Sequence, residues 1–428
     1  MKHDLRLISV LAGFWFILPA TIMGEVCNLV SEIEVTGHRK TKEYIIRREI
    51  QHPVNIPLDS TLVEEDRDRI ENLGIFSIVS WQMVPNEDGS CTLSYSVIET
   101  LGIIPGAMPI YSEDRGWSLS GGVLIKNFRG RNENLNLGGS IGAFKTFGLE
   151  FLDPWIIGDH ISLSIQTGRA IFSHPFLEYD IETISFEANV GRYFGYERRV
   201  SVGFELESKS FQGENEILDY TYIAPQGTFI YDTRDIYTDP SNGMLFIENL
   251  YAVLDFEGDQ NNFLKWFQSY SFYHTLIPGL KKLTAGINLK GMLSFGNLHD
   301  VWVSYLGGGL SVRGWRVPER KIYRDESMAF RFGHHWIVTS AELRQTIIPR
   351  SITPIDTEYG LIAAVFADVG MMSTSIKTLF DQSPMAGIGV GVRIPWPIAG
   401  IIRLDYGWAF REGKFMERSF HLAVGQKF

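Results

Sequence analysis

Cysteine is almost missing from this chain: Cys27 and Cys91 are the only two in 428 residues. That excludes a disulfide-dense scaffold and a cysteine-rich zinc site. Long apolar runs are missing as well. After Met23 no stretch of eighteen apolar residues occurs, so no further membrane-spanning helix is expected. Positive charge is in deficit, with 39 Lys and Arg against 50 Asp and Glu, a net charge of −11 and a pI near 5.5. A general nucleic-acid binder needs a basic face, and this composition supplies none. What the chain has in excess is glycine, 42 residues, together with 10 Trp, 17 Tyr and 28 Phe. Glycine with aromatics points to β architecture rather than helical bundles.

The amino end reads as an export signal. Lys2 and Arg6 precede an apolar run from Leu7 to Met23 that contains Gly13 and Pro19. A short charged stretch followed by such a run is the pattern of a secretory signal peptide, residues 1–24, with cleavage near Gly24. An exported chain with no further spanning helix is periplasmic, secreted, or an outer-membrane β-barrel.

Residues 25–100 read as a small α/β domain in the order strand, helix, helix, strand, strand. Leu29 to Val35 alternates and Gly37 ends it. Thr41 to Gln51 holds Ile45, Ile46 and Ile50 on one helical face. A second helix is expected from Thr61, with Glu64 completing a capping box, Leu62, Ile70 and Leu73 as its apolar face, and Gly74 past its end. Ile78 to Val84 and Thr92 to Ile98 form a hairpin around Asn86–Gly89. If the first and last strands run parallel, Cys27 and Cys91 can meet, and an oxidising periplasm favours their disulfide. The segment resembles a POTRA domain in Ile33-Glu-Val-Thr-Gly37, in Ile45 to Ile50, and in Asp66 followed by Leu73-Gly-Ile-Phe76 and Val79. One copy fits before residue 101. With the last strand lying between the first and the hairpin strand, the strand carrying Ile78, Ser80 and Gln82 is the free edge. Such an edge can take on a client chain as a further strand.

Residues 101–428 contain short alternating runs closed by Gly, Asn, Asp and Pro. Sixteen strands are expected, at 103–112, 116–128, 132–144, 146–155, 160–172, 182–194, 198–211, 221–234, 243–256, 263–276, 282–296, 334–348, 357–370, 385–397, 400–410 and 418–428. In the sixth of these Ile184, Phe186, Ala188 and Val190 share one face, and Thr183, Ser185, Glu187 and Asn189 the other. One face suits lipid, the other a wet lumen. The fold expected is a sixteen-stranded antiparallel transmembrane β-barrel behind one POTRA domain. Enzyme readings are weak. Gly138-Gly-Ser-Ile-Gly142 matches a nucleophile elbow by letter, but Ser140 sits mid-strand with no helix after it. His160 and His274 have no motif around them, and His334 and His335, adjacent on a strand, face opposite ways. No catalytic residue, cofactor or metal is expected.

Five local features resemble the BamA family. The chain ends in Phe420-His-Leu-Ala-Val-Gly-Gln-Lys-Phe428, an alternating run closed by an aromatic, similar to the signal by which outer-membrane assembly recognises its clients. Asn297 to Gly333, the longest break between strands, carries Gly307-Gly-Gly-Leu-Ser-Val312-Arg313-Gly314-Trp315, similar to the motif of the family's sixth outer loop. Tyr231-Asp232-Thr-Arg234-Asp235 resembles the strand-eight motif, Phe366-Ala-Asp368-Val-Gly370 that of strand thirteen, and Phe151-Leu-Asp-Pro-Trp155 the end of strand four. The resemblance implies a bacterial outer-membrane protein with its POTRA domain in the periplasm. It would insert β-barrel proteins or translocate polypeptide. Its partners would be unfolded outer-membrane or secreted polypeptides, outer-membrane lipid and accessory lipoproteins, with no nucleic acid. An arginine facing lipid at mid-depth costs about 2–4 kcal/mol, so a glycine-bearing loop that folds into the lumen is the place for Arg313. The family analogy offers it Glu342 and Asp368. A lateral seam is expected between the first strand, with Ile104, Pro105 and Pro109, and the last, with Leu422, Gly425 and Phe428, because proline has no ladder donor and glycine weakens a strand. The rival readings are a secretion translocator for one partner protein and a passive porin.

Overall fold

The computed structural model describes residues 29–428 apart from 114, 158–160, 196, 257–261, 353–357 and 397–399. The expected signal peptide and Cys27 lie outside these residues. The first domain comprises β1 (Leu29–Thr36), α1 (Glu43–Arg47), β2 (Ile56–Pro57), α2 (Ser60–Asn72), β3 (Phe76–Pro85) and β4 (Cys91–Glu99). Its sheet order is β2-β1-β4-β3, with β1 and β4 parallel and β3 at the free edge. Burial of Ile45, Ile46, Val63, Ile70, Leu93 and Tyr95 between helices and sheet builds its core. Each such aliphatic side chain is worth about 1.5–3 kcal/mol when fully buried. Cys91, buried at the start of β4, is disulfide-bonded.

Three details of the domain differ from expectation. α1 is a single turn and a half: the Arg48 amide closes it on the Tyr44 carbonyl, and the Glu49 and Ile50 amides turn instead to the carbonyls three residues back. The cap of α2 is Asp59, whose carboxylate accepts from the amides of Thr61 and Leu62; Glu64 instead accepts from the indole of Trp81, 2.9 Å away. Of the expected apolar face Ile70 is buried and Leu73, the C-cap, packs against the core, but Val63 and Asp66 point inward in place of Leu62. A buried aspartate is tolerated there because the amides of Gln51 and His52, the Tyr95 hydroxyl and the Arg69 guanidinium all donate to it.

The rest is one antiparallel sheet. Its first eleven strands are β5 (Ile103–Ser112), β6 (Gly116–Phe128), β7 (Glu133–Gly142), β8 (Phe144–Ile157), β9 (Ile161–Ser173), β10 (Asp180–Phe194), β11 (Arg198–Gln212), β12 (Ile217–Asp232), β13 (Gly243–Asp255), β14 (Phe263–Ile277) and β15 (Leu283–Gly296). Two short strands, β16 (Ser304–Tyr305) and β17 (Phe332–Gly333), pair with each other inside the long loop, which also carries α3 (Arg320–Tyr323). The sheet resumes with β18 (His335–Ile352), β19 (Glu358–Ser373), β20 (Met385–Trp396), β21 (Gly400–Arg411) and β22 (Lys414–Val424). Neighbours in sequence are neighbours in the sheet, sixteen strands from β5 to β22. Alternation separates the faces. Ile184, Val190, Val202 and Phe420 are 54%, 49%, 61% and 59% exposed on the outside, a surface that only lipid would cover.

The last strand runs differently from expectation. It begins at Lys414 and stops at Val424, because Gly425 takes φ +85° and turns the final residues off the strand. Among the described residues no ladder joins β5 to β22: both are ends of the sheet.

The two domains meet at the turn between β6 and β7. The Lys42 amide donates to the Gly130 carbonyl at 2.8 Å and the Asn127 amide group to the Thr41 hydroxyl at 2.7 Å. That end of the sheet is therefore the POTRA end. Strand parity then places the loop between β15 and β18 at the far end, as the sixth loop there.

Candidate functional site: the seat of loop six

Loop six folds back onto the inner wall. Arg313 is fully buried. Its Nε and Nη2 donate to the two carboxylate oxygens of Asp368 on β19 at 2.7 and 2.9 Å, and its own amide donates to Asp368 at 3.0 Å. Nη1 donates to Glu342 on β18 and, at 3.2 Å, to Asp405 on β21. The guanidinium plane lies 3.6 Å over the ring of Phe366. A planar five-donor group fits this fork, and a point-charge ammonium would not.

The neighbouring motif residues fix the backbone. Val312 and Trp315 are buried, and the Trp315 indole donates to the Ala386 carbonyl at 2.9 Å. Gly314 has φ +94° and lies against the backbone of Trp408. A Cβ on Gly387 of β20 would stand 1.8 Å from the Arg313 carbonyl oxygen, so the loop reaches the wall only because that position is glycine.

Sequence reasoning placed Arg313, Glu342 and Asp368 and missed the rest of the cluster. Asp405 pairs with Arg393 at 2.5 Å and lies 3.4 Å from Arg403. Arg393 also reaches Glu342 at 3.1 Å, and Arg344 stands 3.9 Å from Glu342 and 3.8 Å from Asp239. The available signal was phase: Arg393, Arg403 and Asp405 all fall on the inward period of β20 and β21. Lys427 carried no such signal, because it lies beyond the strand. Its ammonium sits 2.8 Å from Asp368 and donates to the Ser340 hydroxyl and the Ser311 carbonyl. Phe428 stacks on Tyr273 of β14, with ring centroids 6.1 Å apart. Phe428, expected on the seam, is thus carried inside by the Gly425 turn. Of the other seam residues, Ile104 pairs with Leu124 and Leu422 with Leu404, each inside the sheet.

The strand-eight motif closes on itself at the POTRA end. Arg234 forks onto Asp232 at 2.8 and 2.7 Å, and Asp235 accepts from the amides of Ile236 and Ser241. The Asn72 side chain of α2 donates to the Asp235 carbonyl at 3.2 Å. Ile78, Ser80 and Gln82 lie on β3, which among the described residues pairs only with β4. Ser140 bonds the Phe144 carbonyl and the Thr146 hydroxyl within the barrel wall, and neither partner is a base.

A POTRA-type α/β domain joined to a sixteen-stranded barrel with a charge-seated inner loop defines a class of outer-membrane protein. The Omp85 superfamily domain matches residues 127–428, and the POTRA model, a surface antigen variable number repeat, matches residues 29–100. The chain belongs to the Omp85 superfamily, whose barrels stand in the bacterial outer membrane with the POTRA domain in the periplasm and perform no covalent chemistry. The outer membrane protein assembly factor BamA of Neisseria meningitidis is 29% identical over 149 residues, 33% of this chain and 18% of that protein. The chain thus spans under a fifth of that curated relative. Among solved structures, Haemophilus ducreyi BamA lacking POTRA domains 1–3 superposes with a TM-score of 0.56 at 16% identity, covering 92% of this chain and 84% of that one. CdiB from Acinetobacter baumannii also gives 0.56, at 12% identity, over 94% and 74% of the two chains. These likenesses show a shared fold.

Proposed function

We propose that this chain handles unfolded polypeptide at the outer membrane, inserting β-barrel proteins into it or passing polypeptide across it. One observation carries the reading: the sheet ends, β5 and β22, share no ladder among the described residues. Pro105 and Pro109 remove donors from β5, and Gly425 turns the chain off the end of β22. A wall with two unpaired edges supports exchange with a client strand, and the free edge of β3 is a second place for a chain to add. Polypeptide clients accord with the family, and accessory lipoproteins are an expectation that depletion and capture experiments would address.

A cysteine pair across the seam tests the reading, placed at Tyr111 and Leu422 rather than at the expected Ile104, because Glu113 just past β5 meets His421 and the strand holds Ile104 about 30 Å further along. Oxidised protein should stay folded in the membrane, lose activity, and regain it with reductant. Unchanged activity in verified crosslinked protein would favour a passive pore. Depletion then separates the two polypeptide readings. Loss of many barrel proteins marks insertion, and loss of one exported protein marks secretion.

A further inference from the structure

We propose that His421 and Glu113 form a polar latch that ties the last strand to the first outer turn and to loop six, and so sets how readily the seam opens. The proposal deepens the reading above because it concerns the same seam, but its readout needs no client.

β22 has a ladder neighbour on one side, β21. Arg313 cannot hold its other side, since the carboxylates that seat it come from β18, β19 and β21, strands already joined in one sheet. His421 and Glu113 differ in this respect. His421, on β22, is 1% exposed. Its Nε2 lies 2.9 Å from the Gly314 amide, which donates to it. A ring nitrogen that accepts carries no proton, so the proton is on Nδ1. Nδ1 lies 2.8 Å from a Glu113 carboxylate oxygen and donates to it. The second Glu113 oxygen accepts from the Gly309 amide at 2.9 Å. Glu113 directly follows β5. Three hydrogen bonds in series thus connect the end of β5, loop six and β22, which share no ladder. Arg403 of β21 holds the Gly309 carbonyl at 2.8 Å, which presents the Gly309 amide to Glu113. Arg313 seats the loop on the wall, and Glu113–His421 joins the wall's two ends directly, with the loop bonded to both.

The serial arrangement makes a specific demand. Removing Glu113 frees the end of β5 from both His421 and Gly309, whereas removing His421 leaves the Gly309 amide on Glu113; both variants break the one direct bond between the strands, so their effects should be less than additive. Full-length protein carrying Glu113→Ala, His421→Ala or both is reconstituted in planar bilayers without client. Each single variant should open to the large conducting state about tenfold more often, the change expected from one charge-assisted hydrogen bond, and the double variant no more than Glu113→Ala alone. Crosslinking between cysteines at Tyr111 and Leu422, which share the outer face near the latch, should fall in parallel, while heat-modifiable mobility, which reads the folded barrel, stays as in the parent. Wild-type opening in both singles, or additive effects in the double, would overturn the latch. Should truncation prevent folding, Glu113→Gln serves instead. It keeps the shape but turns one acceptor into a donor facing the Gly309 amide or the His421 ring. Unchanged opening in that folded variant would equally remove the proposal. Its failure leaves the polypeptide-handling reading standing, because client capture is measured separately.

Discussion

Arg313 and Asp368 are joined three times over, by two guanidinium nitrogens and by the arginine's own amide, with Asp368 at the same time 2.8 Å from Lys427. One carboxylate therefore fixes a side chain of loop six, its backbone, and the end of the chain. Every group in this arrangement is out of water, so removing any one leaves charge buried without its partner.

The first prediction concerns Arg313→Ala. Breaking a buried ion pair by removing one partner costs about 3–5 kcal/mol. The barrel should still be exported. Its heat-modifiable band should convert at a lower temperature and activity should fall. Arg313→Lys should recover little, because an ammonium cannot fill the fork on Asp368 and reach Glu342 together. Unchanged conversion temperature and activity would show that the seat is not needed.

Gly387→Ala changes no charge, yet its methyl would overlap the Arg313 carbonyl. The loop should be displaced, and a protease site inserted near Leu310, which is 66% exposed, should be cut faster than in the parent. Equal cutting would mean that the wall yields instead of the loop.

Lys427→Ala should have a smaller effect than Arg313→Ala, since Asp368 keeps its arginine. Combined with Arg313→Ala, it should be less than additive, because both act through one carboxylate. Conversion temperatures of the two singles and the double measure the coupling, and strict additivity would separate the tail from the loop.

At the POTRA edge, Ser80→Pro or Gln82→Pro should lower client capture while the barrel still forms. Photo-crosslinking from β3 in cells reads the capture. Undiminished yield in both variants would count against strand addition.

The domain junction should depend on pH. Burial by itself would raise the Glu99 carboxyl, but the Thr41 hydroxyl and the amides of Thr41, Lys40 and Arg39 donate to it and hold it below the usual range. A folded value below the unfolded one stabilises the junction at and above the pH where free glutamate ionises, and that contribution is lost as pH falls through the folded value. Proteolysis of the linker Thr100–Gly102 should accelerate in acid in the parent, whereas Glu99→Gln should cut at one elevated rate throughout.

Much of this protein was legible in its sequence, for a local reason. Alternation fixes which side of a strand faces lipid, and turn residues mark strand ends, so all sixteen barrel strands could be located from residues a few positions apart. The order β1-β4-β3 and the edge position of β3 were expected as well, whereas β2, a two-residue strand beside β1, was not. Arg313 with Glu342 and Asp368 came from motif resemblance, and its geometry from the fork that a guanidinium requires. The tertiary structure alone decided three things. Asp405, Arg393 and Arg403 joined the cluster because curvature of the sheet brings β20 and β21 around to loop six. His421 met Glu113 across 308 positions of sequence because the first and last strands end at one seam. Phe428 left that seam because a single positive φ at Gly425 turned the tail inward, and Lys427 found a buried carboxylate there. Contacts of this kind depend on how far apart strands lie in space, a distance that no local pattern encodes.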